Sequence, residues 1–207
     1  MNNIERRDKG MAYICDDDVM KELKKCRSLL RKLNDTHSTN VKKIARIAKK
    51  LFGKSENVFI EPPFFCDYGF NIETGKNFYA NFNCTLLDVA KIRFGDNCML
   101  GPNVSVYTAG HPLHPVTRNS KYEYGKEVIV GDNVWIGGSS VVCPGVRIGN
   151  NVVIGAGSVV TKDIPDYSVA VGNPCKIIRK ITENDRRKLF KNEEIDEEAW
   201  QKILCNE

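Results

Sequence analysis

Aliphatic residues recur at every sixth position along the C-terminal half of the chain. From Val130 the sequence divides into VGDNVW, IGGSSV, VCPGVR, IGNNVV, IGAGSV and VTKDIP, and each hexapeptide begins with Val or Ile. The second position is Gly in four of the six, and the fifth is always small or β-branched. A period of six fits neither a helix nor a hairpin, whereas it fits a three-sided coil of short strands. The pattern predicts a parallel β-helix with the first-position side chains along its axis.

The same phase continues upstream of a long interruption. FGDNCM, LGPNVS and VYTAGH occupy residues 94–111 in register, and a weaker set begins near Thr74 and slips by two residues at 88–91. Residues 112–127 break the pattern, which then resumes. We therefore expect a loop, 112–127, that leaves a repeating scaffold.

Apolar residues at helical spacing predict caps for the two open ends of the coil. Residues 17–34 and 40–52 each place apolar side chains three or four positions apart, and Gly53 provides a stop. These segments predict an amphipathic helical pair over the start of the coil. At the other end, Thr182 can N-cap a short helix that runs to Phe190.

These patterns divide the 207 residues into three regions. Residues 1–57 form an N-terminal helical capping region, 58–181 the β-helix with its extruded loop, and 182–207 a C-terminal helix and acidic tail. The predicted fold class is mainly β, and the length allows one good core without a second large domain.

Composition and charge disfavour several classes of protein. No stretch approaches the roughly 18–20 apolar residues of a membrane span, and residues 1–10 are polar where a secretory signal is apolar. We therefore expect a cytoplasmic protein without a membrane partner. Twelve Lys or Arg residues between Lys21 and Lys54 face only two acidic residues, a balance that also suits nucleic acid or an anionic membrane. We interpret this segment as the solvated face of two helices, since it lacks interleaved aromatic residues for base stacking.

The cysteines and histidines do not predict a metal site. Eight cysteines are scattered without a CxxC pair, and several fall inside apolar repeats, where a free thiol behaves as a small hydrophobe. A zinc carbonic anhydrase of this architecture would need three histidines from neighbouring rungs, but His37 belongs to the cap. We expect structural thiols and no metal.

Motifs along most of the chain identify it as similar to a known family. The sequence resembles the maltose and galactoside O-acetyltransferases of the hexapeptide-repeat superfamily, and Asp67 with the LDV form brings it nearer the maltose-type branch. Besides the N-terminal cap, the segments that carry the resemblance are CDYGFNI (66–72), NFYANFNC (77–84), LLDV (86–89), IRFGDNCMLGPNV (92–104), YTAGHPLHPVTRN (107–119), GDNVWIGG (131–138), VIGAGSVVTKDIP (153–165) and VGNPCKIIRKI (171–181).

The resemblance implies a left-handed β-helix, a homotrimer with active sites between neighbouring subunits, and acetyl-CoA as the donor. Acetyl transfer to a hydroxyl needs a base, a donor for the oxyanion and a groove for CoA. His111, at the root of the predicted loop, matches the general base of the family. His37 is expected to be a polar turn residue.

The resemblance also implies the residues that bind the acceptor, although each has a structural alternative. Asn81 matches the substrate-binding Asn of the family but could belong to an asparagine ladder, and a buried Asp could instead stabilise a turn. Glu123 could orient His111 or contact the acceptor. The DDD run leaves the register of the N-terminal Asp open. The predicted acceptor ligands are Asn81, Asp67, Asp88, Asp17 and Glu123.

The resemblance also implies which residues bind acetyl-CoA, the acetyl donor. The backbone N–H of Gly138 is expected to stabilise the oxyanion, and Trp135 to form a packing platform near the acceptor or the pantetheine arm. Small residues leave room for that arm, and cations meet the phosphates. Lys176 replaces an Arg of some relatives, which exchanges a bidentate fork for a point charge. The remaining CoA-binding predictions are Ala156, Thr161, Lys162, Lys176 and Arg179.

The function these observations favour is acetyl-CoA-dependent O-acetylation of a sugar. The acceptor is expected to be maltose, glucose or a related glycoside, attacked through its 6-hydroxyl in a direct ternary complex. Two alternatives stay open: an acetyltransferase for a non-sugar hydroxyl such as that of a xenobiotic, and a non-catalytic β-helix assembly module.

Overall fold

The computed structural model describes residues 1–191 and 193–205. At its centre lies a parallel β-helix whose successive strands join three sheets in turn. Sheet I contains β2 (Val58–Ile60), β5 (Phe78–Ala80), β8 (Met99–Leu100), β13 (Trp135–Ile136), β16 (Val153–Ile154), β18 (Ser168–Val171) and the antiparallel β19 (Lys176–Lys180). Sheet II contains β3 (Phe64–Cys66), β6 (Cys84–Leu87), β9 (Ser105–Tyr107), β14 (Val141–Val142) and β17 (Val159–Val160). Sheet III contains β4 (Ile72–Thr74), β7 (Ile92–Phe94), β12 (Val128–Val130) and β15 (Arg147–Ile148).

The hexapeptide phase accounts for the core of the coil. The first-position aliphatic side chains from Val130 to Val160 are all buried, and so are the fifth-position side chains from Val134 to Ile164. Stacked rungs therefore share one continuous aliphatic core that runs into the cap. The predicted β-helix is confirmed.

Asparagines form the edge between sheets III and I. Asn77, Asn97, Asn133 and Asn151 all have φ between 55° and 57°, a left-handed conformation that Asn tolerates better than most residues. Each side-chain amide donates to the next Oδ1 atom, at 2.9, 3.0 and 2.9 Å. The ladder lets the chain turn sharply while its amides bond to one another.

The edge between sheets II and III is wider than the other two. Equivalent positions lie eight residues apart from Cys66 to Thr74 and from Leu86 to Phe94, rather than six. In the next rung the excursion 108–127 leaves from the same edge. The two-residue shift of the hexapeptide pattern at 88–91 corresponds to this wider corner. The extra residues of successive rungs lie one above another along this edge of the coil.

Helices cover the start of the coil, as predicted. The two long helices, α2 (Asp17–Asn34) and α3 (Val41–Leu51), pack against β3 and β2, respectively, and bury the apolar positions that their spacing indicated. The Asp16 carboxylate caps α2 by accepting the Val19 N–H at 3.1 Å. The short α1 and the two-residue β1 were not predicted. The cap consists of α1 (Asn3–Asp8), β1 (Tyr13–Ile14), α2 (Asp17–Asn34) and α3 (Val41–Leu51).

The predicted loop has secondary structure of its own. It comprises β10 (Ala109–Gly110), α4 (Pro115–Asn119) and β11 (Tyr122–Gly125). β10 and β11 form an antiparallel hairpin, and β11 pairs with β1 of the cap on its other side. The N-terminal segment and the excursion therefore share one small sheet.

The predicted short C-terminal helix is present, but it spans Glu197–Leu204 instead of residues 182–190. The Asp185 carboxylate accepts the Thr182 N–H at 2.9 Å and closes a 3-10 turn, Glu183–Asp185. Next come a hairpin of β20 (Lys188–Phe190) and β21 (Glu193–Glu194) and a helix, α5 (Glu197–Leu204), capped by Asp196. Acidic side chains stabilise the N-terminus of a helix. The acidic segment, predicted from the sequence to be a tail, therefore forms the start of this helix.

Candidate active site

The predicted catalytic histidine lies at the root of the excursion. His111 follows β10, whose Gly110 pairs with Tyr124 of β11. Its side chain is 58% exposed, and its Nε2 atom lies 4.0 Å from Oε2 of Glu123. This separation is too long for a direct hydrogen bond, but it allows the carboxylate to act on the ring electrostatically.

Hydrogen bonds to the preceding rung hold the base of this hairpin. The buried Thr108 hydroxyl donates to the Leu87 carbonyl at 2.7 Å and accepts the Ala90 N–H at 2.9 Å. The Thr108 carbonyl accepts the Lys126 N–H at 2.8 Å, which closes the excursion where it rejoins the coil. His111 therefore projects from a fixed point on the edge between sheets II and III.

The cap supplies a second wall beside this hairpin. Tyr13 of β1 pairs with Glu123 of β11, and its buried side chain packs with Tyr68 and Val89. Burial and the nearby Glu123 carboxylate raise the pKa of the Tyr13 phenol. The phenol is therefore a neutral neighbour of Glu123.

Asp67 lies on the same edge as His111 and Glu123. Its carboxylate is half-buried and makes no hydrogen bond within the part of the chain that the structure describes. Burial and the Glu123 carboxylate raise its pKa, while Arg27 lowers it. Asp67 therefore offers free acceptor oxygens to a ligand with hydroxyl groups.

Of the two roles open to Asp88, the structure supports a buried carboxylate that stabilises a turn. Its side chain is fully buried. One carboxylate oxygen accepts the backbone N–H groups of Asp67 and Tyr68 at 3.0 and 2.9 Å, and the other accepts that of Asn71 at 3.2 Å. Burial raises the pKa of Asp88 to about 7, although the hydrogen bonds to Tyr68 and Asn71 lower it. The carboxylate shapes the wide turn 67–71.

The structure does not bring Asp17 to this group. Asp17 is exposed in the first turn of α2, whereas Cys15 is half-buried and has Glu123 and Asp67 among its charged neighbours. Sequence reasoning missed both Cys15 and Tyr13, because a two-residue strand has no periodicity to detect. Only the pairing of β1 with β11 reveals them.

Asn81 lies on a different edge, between sheets I and II. Its Oδ1 atom accepts the Phe82 N–H at 2.7 Å. Its side-chain amide donates to no acceptor among residues 1–191 and 193–205. The asparagine ladder runs through Asn77 on another edge, so the ladder alternative does not apply to Asn81.

Gly138 lies on the same edge as Asn81, further along the coil. A Cβ atom on Gly101 would come within 2.6 Å of the Gly138 nitrogen, and one on Gly137 within 2.5 Å of the Ala156 nitrogen. These glycines let consecutive rungs stack closely. The Gly138 N–H donates to no acceptor in the described residues, so it is available to a ligand.

The other predicted donor residues lie on two sides of the coil. Trp135 is 51% exposed on the outer face of sheet I. Arg179 of β19 borders the same cavity as Trp135, and its Nη1 atom lies 2.8 Å from Oδ2 of Asp185. Lys176 is exposed on β19, whereas Thr161 and Lys162 are exposed after β17, on the edge that carries His111.

The described residues contain neither a metal-binding cluster nor a membrane-spanning helix. Within the described residues, no group of three or more His, Cys, Asp or Glu side chains could hold a metal ion. In the same part of the chain, no helix has both the length and the apolar character needed to cross a bilayer.

Two family models match the chain. The maltose acetyltransferase hexapeptide capping motif matches residues 8–56, and the bacterial transferase hexapeptide (six repeats) matches residues 127–162. The first falls on the helical cap, and the second on the regular coil downstream of the excursion.

Named proteins resemble the chain over nearly all of their own length. A galactoside O-acetyltransferase of Lactococcus lactis is 45% identical over 183 residues, which cover 87% of this chain and 88% of the relative. The crystal structure of a maltose O-acetyltransferase from Clostridium difficile 630 matches with 50% identity and a TM-score of 0.87, covering 88% of this chain and 99% of that one. A galactoside acetyltransferase in complex with coenzyme A matches with 39% identity and a TM-score of 0.90, covering 95% and 99%. The chain belongs to the hexapeptide-repeat acetyltransferases, alongside the maltose and galactoside O-acetyltransferases.

Proposed function

We propose that this protein transfers the acetyl group of acetyl-CoA to a sugar hydroxyl, with His111 as the general base. The proposal depends on one observation: His111 Nε2 is 4.0 Å from Glu123 Oε2, on the edge that also carries the free carboxylate of Asp67. Such a transfer needs a base, a carboxylate that stabilises the protonated base, and a group that accepts hydrogen bonds from the hydroxyls of the substrate.

The proposed reaction is a direct transfer. His111 Nε2 accepts the proton of the acceptor hydroxyl while the oxygen attacks the acetyl carbonyl. The Gly138 N–H, which has no acceptor among the described residues, donates to the carbonyl oxygen as negative charge develops there. The thiol of CoA leaves, and no covalent intermediate on the protein is needed.

The two halves of this site belong to different edges of one chain. His111 leaves the edge between sheets II and III, whereas Gly138 and Asn81 lie on the edge between sheets I and II. Within one coil the full width of sheet II separates them, on the order of 10 Å for a three-residue strand. We propose that a second copy of the chain supplies the missing half.

The outer face of sheet I supports self-association. Side chains in register along this face are apolar, whereas the corresponding face of sheet III carries Glu73, Arg93 and Arg147. A continuous apolar row is typical of a surface covered by a partner. A closed homotrimer, with each cleft between two coils, would bury the part of the row from Phe59 to Met99 and leave the part from Trp135 to Val169 facing the cleft. The row is formed by Phe59, Tyr79, Met99, Trp135, Val153 and Val169.

The acceptor is proposed to be maltose, glucose or a related glycoside, acetylated at its 6-hydroxyl. The free oxygens of Asp67 and the free amide of Asn81 support a sugar, since they are an acceptor and a donor suited to hydroxyl groups. A xenobiotic with a single hydroxyl would use fewer of these groups. A pure assembly module would use neither these groups nor His111.

CoA is proposed to lie in the cleft between coils. Gly138 and Ala156 give the pantetheine arm a path free of large side chains, and Trp135 gives it an apolar wall. Thr161 and Lys162 of the neighbouring coil, with Lys176 and Arg179, would meet the phosphates. A cytoplasmic location agrees with a donor that is an intracellular metabolite.

An acceptor screen tests the proposed function. The purified protein is incubated with acetyl-CoA and maltose, glucose, galactosides or a simple aromatic alcohol, while CoA release is followed and the new ester is located by NMR. We expect a 6-O-acetyl sugar, and a loss of about 10²–10⁴-fold in kcat for His111→Ala. His37→Ala is the matched control, because His37 is exposed in the turn between α2 and α3. Equal activity of the two variants would refute the role of His111.

A further inference from the structure

A cavity of 790 Å³ separates the coil from the C-terminal hairpin. Its inner wall consists of Trp135, Val153 and Val169, which are in register on the outer face of sheet I. Its outer wall comes from β20, where Leu189 and Phe190 are 69% and 60% exposed. Two apolar walls therefore face each other across a space large enough for a planar ring.

Positive charge surrounds this cavity. Four cationic residues border it, whereas Asp185 is the only acidic residue among those that the structure assigns to its walls. Lys191 lies over the Phe190 ring at 5.1 Å and has no carboxylate within ion-pair distance in the described residues. Lys188 is 3.6 Å from Glu194, an exposed pair worth little in water. The four cationic residues are Arg179, Lys180, Lys188 and Lys191.

We propose that the C-terminal hairpin binds the nucleotide end of CoA, with Phe190 against the adenine and with Lys188 and Lys191 on the 3′-phosphate. Aromatic rings stack on bases, and ammonium groups bind phosphate through charge-assisted hydrogen bonds. This inference rests on the proposed use of acetyl-CoA and adds residues that lie outside the coil. The hairpin is then an outer wall of the donor site, opposite Trp135.

An equilibrium binding experiment tests the hairpin without any acceptor. Calorimetry on the full-length protein compares CoA with 3′-dephospho-CoA, which lacks only the phosphate in question. For the double variant Lys188→Ala/Lys191→Ala, we expect Kd to rise about tenfold for CoA and less than twofold for dephospho-CoA. For Phe190→Ala, we expect Kd to rise by a similar factor for both ligands. Lys49→Ala/Lys50→Ala, on α3, is the matched control and should leave both Kd values unchanged.

Three results would overturn the proposal. The double variant could leave the Kd for CoA unchanged, or it could weaken both ligands equally. Sedimentation could also reveal that Phe190→Ala dissociates the oligomer, in which case the hairpin packs against a second copy instead of a nucleotide. Failure of sugar acetylation is a separate outcome, because normal CoA binding with no ester formed would refute the acceptor and leave the hairpin site standing.

Discussion

The imidazole of His111 and the carboxylate of Glu123 face each other across the hairpin at the root of the excursion, with Nε2 and Oε2 4.0 Å apart. His111 directly follows β10 and Glu123 lies on β11, so the small sheet β1-β11-β10 sets their separation. The cap also stabilises this arrangement, because β1 pairs with the edge of β11 that β10 does not occupy.

This geometry predicts that Glu123 acts through His111. Glu123→Gln removes the negative charge while keeping the shape of the side chain. The protonated imidazole that forms during transfer then loses its carboxylate neighbour, and we expect kcat to fall about tenfold with little change in the KM of the acceptor. Steady-state kinetics with a saturating donor measure both constants. A raised acceptor KM with unchanged kcat would instead identify Glu123 as an acceptor ligand.

Asn81 is predicted to act on the ligand rather than on the fold. Its amide has no acceptor in the described part of the protein, and its Oδ1 atom accepts one exposed backbone N–H, that of Phe82, so Asn81→Ala removes a ligand contact and a single hydrogen bond at the surface. We expect kcat/KM to fall by 10- to 100-fold, about 1.4–3 kcal/mol, while the melting temperature falls by less than it does in a variant of the asparagine ladder.

Asn77→Ala is the matched control for Asn81. Asn77 belongs to the ladder and has a positive φ, so its loss should lower the melting temperature while leaving kcat/KM close to that of the wild type. The reverse assignment of the two effects would refute the roles proposed for both residues.

Asp88 is predicted to stabilise the turn 67–71. In Asp88→Asn one of the two oxygens that accept backbone N–H groups becomes an amide donor, which faces the Asn71 N–H. We expect a loss of about 1–3 kcal/mol in the free energy of unfolding. Chemical denaturation measures it.

The contribution of Asp88 should also depend on pH. Its folded pKa, about 7, lies above the ordinary value for Asp, so the folded state binds the proton more tightly than the unfolded state does. This tighter proton binding adds to the free energy of unfolding. The contribution is fully present below about pH 4 and is lost as pH rises to about 7. The difference in stability between the wild type and Asp88→Asn should therefore narrow over this range. A widening difference would mean that the N–H groups keep the carboxylate ionised.

Much of the scaffold could be predicted from the sequence, because a strict period of six leaves few alternatives for stacked short strands. The positions of the coil core, the two long cap helices and the interruption at 112–127 all follow from hydrophobic spacing. The helix predicted at 182–190 begins at Thr182 with a capping box, but it stops after one 3-10 turn and residues 188–190 pair with 193–194 as a hairpin. Hydrophobic spacing does not predict that pairing.

The site was harder to predict for a different reason. Tyr13 and Cys15 reach it through a two-residue strand, and Asp88 looks like a ligand until its three backbone partners are known. The local sequence gives the type of each residue and its position in the repeat. It does not give the hydrogen-bond partners of a buried carboxylate, which here lie about 20 residues away in the chain.

The composite site makes a prediction about mixed oligomers. If His111 of one subunit works with Asn81 of its neighbour, then subunits carrying His111→Ala and subunits carrying Asn81→Ala restore each other. Every mixed trimer contains one cleft of three with both wild-type residues, so the unfractionated product of random 1:1 assembly has about a quarter of the wild-type activity and the mixed trimers alone have about a third. Coexpression with two affinity tags, followed by purification of the mixed trimers, should therefore recover about a third.

The alternative geometry predicts a different result for the same mixture. If both residues came from one subunit, each subunit would carry one defect, and mixing would leave the specific activity at the mean of the two variants. A double variant, His111→Ala/Asn81→Ala, mixed with the wild type is the matched control. Random assembly then leaves a quarter of the clefts intact for a composite site, because each cleft needs two wild-type neighbours, and half of them for a site within one subunit. The two mixtures together therefore identify which chain supplies each half of the cleft.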